Sequence, residues 1–123
     1  MAQRNILVVD DSAMMRQLLT MTMRKALPDV LIFEAANGRE ALERIRTGQF
    51  DLVLTDMQMP EMNGRQLIEA VRKGLGSMLP IVVVTTQGEE QDRESGLASG
   101  ADGYLTKPVK PLELRETVSR FLR

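Results

Sequence analysis

Ile6-Leu7-Val8-Val9 is apolar at every position, with no alternation. Bounded by polar residues, such a run is a strand buried on both faces. A strand of that kind belongs to a parallel sheet with helices above and below it. The rest of the chain must supply those helices and the partner strands.

It supplies them in strict alternation. Asp10-Asp11-Ser12 follows the first strand and can cap a helix over 13–27, with Met15, Leu18, Leu19 and Thr22 along its inner face. Pro28-Asp29 stops that helix. A second strand over 30–35 carries Glu34 and reads as a sheet edge. Asn37-Gly38-Arg39-Glu40 has the form of a capping box. It opens a helix over 38–47 with Ala41, Leu42 and Ile45 inward, which Gly48 ends. Leu52-Val53-Leu54 with Thr55 is the third strand. Asn63 caps a helix over 64–73, with Leu67, Ile68 and Val71 inward. Ile81 to Thr85 is the most apolar strand and reads as the central one. A helix over 89–99 is nearly all polar, with Gly96 inside it and Leu97 and Ala98 as its main apolar residues; weak packing is expected. Gly100 ends it. A short fifth strand covers 103–106, Lys107-Pro108 breaks it, and Pro111 opens a last helix faced by Leu114, Val118, Phe121 and Leu122. Five strands alternating with five helices predict an open, doubly wound parallel α/β sheet with right-handed crossovers, and one domain over residues 1–123.

In such sheets ligands bind outside the carboxyl ends of the strands. Polar residues stand at four of those ends: Asp10 and Asp11, Asp56, Thr85 and Lys107. Asp56 is followed by Pro60 and Asn63-Gly64, so it faces a short irregular loop and not a continuing strand. An ionised carboxylate is too costly to bury alone, so Asp56 must look into a crevice.

Composition narrows what that crevice can do. The 123 residues include no His and no Cys, which removes the commonest general base, thiolate metal sites and disulfides. No signal peptide and no apolar run near the length of a membrane span is present, which fits a cytoplasmic protein without membrane attachment. Net charge is −1, with mixed signs and 3% aromatic residues, so nucleic-acid binding by this chain alone is not expected.

Three carboxylates in one crevice repel each other unless a hard divalent cation sits among them. Mg²⁺ suits an all-oxygen site and shares its shell readily with phosphate. The Thr85 hydroxyl and the Lys107 ammonium suit the other oxygens of a phosphoryl group. One carboxylate would then be the nucleophile and form an aspartyl phosphate. Asp56 stands alone and fits that role, while the Asp10-Asp11 pair fits the cation. Taken singly, each residue has a plainer use. Asp10-Asp11-Ser12 is a helix cap, Thr85 a strand former, Lys107 a loop charge and Tyr104 a packing residue. Met57, Met59 and Met62 are gap fillers. Their coincidence at the ends of four strands is what outweighs those uses.

The chain resembles the receiver domains of two-component response regulators, in particular single-domain regulators of the chemotaxis kind. The resemblance rests on Ile6-Leu7-Val8-Val9-Asp10-Asp11-Ser12, Asp56 with Met59-Pro60-Glu61-Met62-Asn63-Gly64, Thr85, and Gly100-Ala101-Asp102-Gly103-Tyr104-Leu105-Thr106-Lys107-Pro108. It implies a flavodoxin-like (βα)5 fold with strand order 2-1-3-4-5. It further implies that a histidine kinase donates a phosphoryl group to Asp56. Mg²⁺ would be held by Asp11, Asp56 and the backbone carbonyl of Gln58, with Asp10 assisting through water. Lys107 and Thr85 would contact the phosphoryl oxygens. Thr85 and Tyr104 would shift together and change the surface of the fourth helix, fifth strand and fifth helix for a target protein. The Lys107-Pro108 bond would be cis. The chain would be a monomer or a weak phosphorylation-dependent dimer, catalysing only its own phosphorylation and dephosphorylation.

Two departures stand out. Thr86 occupies a position where the family has a small residue, beside the path to Asp56. Gln58 and Gln87 occupy positions that vary in the family and tune the lifetime of the acyl phosphate. A competing reading is a Mg²⁺-dependent aspartyl-phosphate phosphatase or phosphotransferase acting on small molecules. Against it, Gln58 stands where a second acid would be wanted, and no cap domain encloses a substrate. A flavin-binding module of the same sheet type would want aromatic residues and a phosphate loop that the chain lacks. A free-standing receiver and a domain cut from a longer regulator would share this sequence.

Overall fold

The unalternated runs become strands because each has two helical layers to fill. A computed structural model describes residues 3–86 and 88–122. The elements are β1 Arg4–Val9, α1 Ala13–Ala26, β2 Val30–Ala35, α2 Gly38–Thr47, β3 Leu52–Asp56, α3 Gly64–Glu69, β4 Ile81–Thr86, α4 Glu90–Ser99, β5 Gly103–Lys107 and α5 Pro111–Phe121. All strand pairs are parallel, in the order β2-β1-β3-β4-β5. Alternate side chains of one strand enter opposite layers. Ile6, Val8, Leu52, Leu54, Val82 and Val84 meet Leu19 and Met23 of α1 and Leu114 and Val118 of α5. Leu7, Val9, Val53, Ile81 and Val83 meet Ala41 of α2 and Leu67 and Ile68 of α3. Every one of these residues is almost fully removed from water. Among the described residues, no helix is long and apolar enough to cross a membrane.

The caps follow the sequence with one exchange. Ser12 Oγ accepts from Met15 N at 3.2 Å. Asn37 Oδ1 accepts from Glu40 N at 2.8 Å, but Glu40 reaches back to the N–H of Ala36 (3.3 Å) and not to that of the cap residue. The reciprocal capping box lies instead at Asn63 and Gln66.

Four expectations need correction. The buried stripe of α1 runs through Leu19, Thr20 and Met23, while Leu18 is half exposed and Thr22 lies at the margin. Counting from Leu19 by threes and fours leaves Leu18 on the flank. The strand over 81–86 is interior, but β3 holds the middle of the sheet. Hydrophobicity reports burial on both faces, and β3 and β4 share that condition equally. The helix over 64–73 is not uniform, because from Ala70 to Gly74 it widens into a π-helical turn that keeps Val71 buried. Finally, β5 runs one residue further than expected and includes Lys107.

The weak packing foreseen for the fourth helix is present. Gly96 is its buried residue, and Leu97 is exposed. A Cβ on Gly96 would lie 2.7 Å from Val83 Cγ2, so the helix sits on the sheet only because this position lacks one.

Candidate functional site

The carboxyl ends of β1, β3 and β5 bring their polar residues together. One carboxylate oxygen from each of Asp10, Asp11 and Asp56 lies within 4.8 Å of the others. The Lys107 ammonium stands between two of them, 3.1 Å from Asp10 Oδ2 and 3.6 Å from Asp56 Oδ2. The Lys107-Pro108 peptide is cis.

Each acid is placed by its own local structure. Asp10 is buried at the end of β1. Its Oδ1 accepts from Ser12 N (2.9 Å), and its backbone carbonyl accepts from Arg16 Nη1 (2.6 Å). Arg16 is anchored in turn on Glu34 (2.9 Å). Asp11, next along the turn, is exposed. Asp56 is partly buried, and its Oδ1 accepts from Met57 N (2.7 Å) and more weakly from Gln58 N (3.4 Å). The loop after it is held close: Gly64 N donates to Met57 O at 3.0 Å. A Cβ on Gly64 would lie 2.5 Å from the Asp56 carbonyl oxygen, so α3 can start this near the strand end only with glycine.

The electrostatics set Asp56 apart. Burial pushes its pKa above the ordinary carboxylate value, the Lys107 charge pulls it down, and the Asp10 charge pushes it up again; the two backbone N–H groups favour the ionised form. Three carboxylates face a single ammonium here. The donor atoms are hard oxygens, with neither imidazole nor thiolate among them. That set fits Mg²⁺ better than a soft transition metal.

Thr85 is buried at the end of β4, where it lines a small hollow with Thr86, Glu89, Arg93 and Thr106. Thr86 pairs in register with Lys107 and is exposed. Tyr104 is 42% exposed on the edge strand, half-buried as its type alone suggests. The Arg93 guanidinium lies 4.9 Å from the centre of its ring, and Arg93 Nη1 is 3.4 Å from its hydroxyl. Arg93 therefore touches both the Thr85 hollow and Tyr104. Gln87 lies outside the described residues.

Sequence reasoning missed Arg16, Arg93 and Asp92. Asp92, on α4, accepts from Gln58 Nε2 at 3.0 Å through each of its carboxylate oxygens. Nothing in the residue types announces these contacts, since Arg93 and Asp92 sit among other charges on a polar helix and the partners of Arg16 lie outside its own helix. Glu89 is also drawn in. Hydrogen bonding to Asp92 is the first cause raising its pKa, and the Asp56 charge adds a smaller push.

Comparison with known proteins identifies the family and the fold. Residues 6–119 match the family model described as the response regulator receiver domain. The transcriptional regulatory protein SrrA of Staphylococcus aureus is 38% identical over 118 residues; the match covers 96% of this chain but only 47% of SrrA, so the chain spans about half the length of that relative. Among solved structures, the chemotaxis response regulator CheY4 of Vibrio cholerae superposes with a TM-score of 0.85 at 35% identity, over 98% of this chain and all of that one. The receiver domain of the sensor histidine kinase PA1611 from Pseudomonas aeruginosa, solved with a magnesium ion in its active-site cleft, superposes with a TM-score of 0.87 at 26% identity, over 98% of both chains.

Proposed function

This chain belongs to the response regulator receiver family of two-component systems, and we propose that it is a phosphorylation switch with Asp56 as the acceptor. One observation carries the reading: three acid oxygens within 4.8 Å of one another, with Lys107 reaching two of the acids.

In the proposed reaction an oxygen of Asp56 attacks phosphorus of a phosphohistidine on a histidine kinase. The P–N bond breaks, its electron pair stays on the imidazole, and an acyl phosphate forms. Asp11, Asp56 and the Gln58 carbonyl would hold Mg²⁺, with Asp10 assisting through water. Bound there, Mg²⁺ would offset the charge gathering on the phosphoryl oxygens. Lys107 would leave Asp56 Oδ2 for a phosphoryl oxygen, a move of one side chain over a short distance. The Thr85 hydroxyl would take another oxygen. Release by water returns Asp56 and inorganic phosphate, so the chain acts only on itself.

The output would travel through the same hollow. Pulling Thr85 toward the phosphoryl group changes the wall that Arg93 also lines, and Arg93 rests on Tyr104. A partner reading α4, β5 and α5 would see that change. The demand is modest, since moving a two-state surface from mostly off to mostly on takes ~5 kcal/mol of differential stabilisation. The kinase and the target protein are the partners this reading requires. No role for nucleic acid or membrane follows from this chain, and a monomer or weak phosphorylation-dependent dimer suffices.

The test is labelling by a small phosphodonor, acetyl phosphate, with Mg²⁺. Wild type is expected to take up one phosphoryl group per chain and Asp56→Asn none. Full labelling of Asp56→Asn would reject the assignment.

A further inference from the structure

We propose that Asp92 of α4 is a positioning residue that holds the Gln58 side chain across the mouth of the crevice, and that this hold prolongs the phosphorylated state. The inference rests on the phosphorylation of Asp56 proposed above. Gln58 stands two residues beyond Asp56, and its backbone N–H leans toward Asp56 Oδ1. Its side chain then leaves the loop and crosses to another element. The amide nitrogen lies 3.0 Å from both oxygens of Asp92, a residue 34 positions away. A shallow hollow bounded by Gln58, Gly88, Glu89 and Asp92 lies between the loop and the first turn of α4. The crevice is open to solvent, because the side chains of Asp56 and Lys107 each keep 16% of their surface in water.

Hydrolysis of an acyl phosphate needs water to reach phosphorus from the side opposite the aspartyl oxygen, which is the solvent side. A Gln58 amide held on Asp92 has the N–H that points between the two carboxylate oxygens committed. So tethered, the side chain neither swings clear nor turns to donate to an entering water. Released from Asp92, the same side chain moves freely and its amide can donate to that water. The hold is a charge-assisted hydrogen bond on a partly exposed surface, so its loss should change a rate by about two- to tenfold.

The experiment follows loss of label from Asp56 after donor removal in wild type, Asp92→Ala, Asp92→Asn, Gln58→Ala and the Asp92→Ala/Gln58→Ala double variant. Circular dichroism checks the fold of each. Asp92→Ala is expected to lose label about two- to tenfold faster than wild type. Asp92→Asn keeps an acceptor oxygen without the charge and is expected to fall between wild type and Asp92→Ala. The double variant is expected to match Gln58→Ala, because once the amide is gone Asp92 has nothing to hold. An unchanged lifetime in Asp92→Ala overturns the inference alone, with wild-type labelling at Asp56 intact. Asp92→Asn behaving like Asp92→Ala assigns the effect to charge and overturns it too, as do effects that multiply in the double variant. Absence of label on wild type, or label surviving Asp56→Asn, overturns the phosphorylation reading and this inference with it.

Discussion

At Asp56 a carboxylate is partly withdrawn from water, beside another carboxylate and one ammonium. Burial is the first cause of its raised pKa, and Lys107 offsets only part of that. The sign of the stability effect follows. With a folded-state value above the unfolded one, the native protein holds a proton that the unfolded chain has already released. The contribution of Asp56 to stability is therefore greatest below about 3.8 and falls as pH rises through the raised folded value. At neutral pH, without divalent cation, the ionised group costs stability. Asp56→Asn is expected to unfold at a higher temperature than wild type at pH 7 in chelator, with the difference shrinking toward pH 3.5. Thermal midpoints across that range check it, and a variant less stable at pH 7 contradicts it. The acid at this strand end was legible because Asp56 interrupts an apolar run and Pro60 follows. Other residues were not. Thr20 is not among the residues expected on the inner face of α1, yet its hydroxyl is buried with no partner among the described residues. Leu18 reads as core and is exposed. A rotation about the helix axis by little more than one residue decides both, and the sequence of α1 carries apolar residues on too many sides to fix it.

Among the elements, α4 is the one whose place depends on a single missing atom. Its burial is confined to Gly96, against Val83 and with Met57 Sδ close by. Two effects of Gly96→Ala oppose each other. Helix propensity gains ~1 kcal/mol. Forcing a methyl to 2.7 Å from Val83 costs ~1–3 kcal/mol, or moves the helix. Because the clash is with a β-branched side chain on a central part of the sheet, the cost should win by ~1 kcal/mol. Urea unfolding is expected to show that loss, and Val83→Ala in the same chain to recover part of it. A Gly96→Ala protein more stable than wild type would mean α4 floats free of β4. The sequence did announce a poorly anchored fourth helix, through its polarity and its internal glycine. It did not announce the π-helical turn from Ala70 to Gly74, since π widening is settled by what lies beneath, here the need to keep Val71 in the layer with Ile81. Nor could it announce the link from Gln58 to Asp92, which exists only once α4 has been laid beside the loop after β3.

The whole molecule explains why acids so far apart in sequence meet. β1 and β3 are neighbours, yet the helix after β1 lies in one layer and the helix after β3 in the other. The chain parts above that pair, and Asp10, Asp11 and Asp56 line the gap. The gap gathers three carboxylates against one lysine, so the folded chain is expected to gain stability from Mg²⁺ that the unfolded chain cannot. At a hundred times its dissociation constant, a cation binding only the native state adds ~2.7 kcal/mol. Asp56→Asn loses one ligand and one repulsive charge together. Two curves should therefore cross. In chelator the variant unfolds at the higher temperature. As Mg²⁺ is added at constant ionic strength, wild type climbs past it, because relief of repulsion and cation binding now act through the same oxygens. Asp11→Asn should flatten the wild-type climb while leaving the chelator value little changed, since Asp11 is exposed and less of its charge is withdrawn from water. Midpoints that rise in parallel for wild type and Asp56→Asn would place the cation elsewhere, and the convergence of the three strand-end acids would then have no metal to account for it.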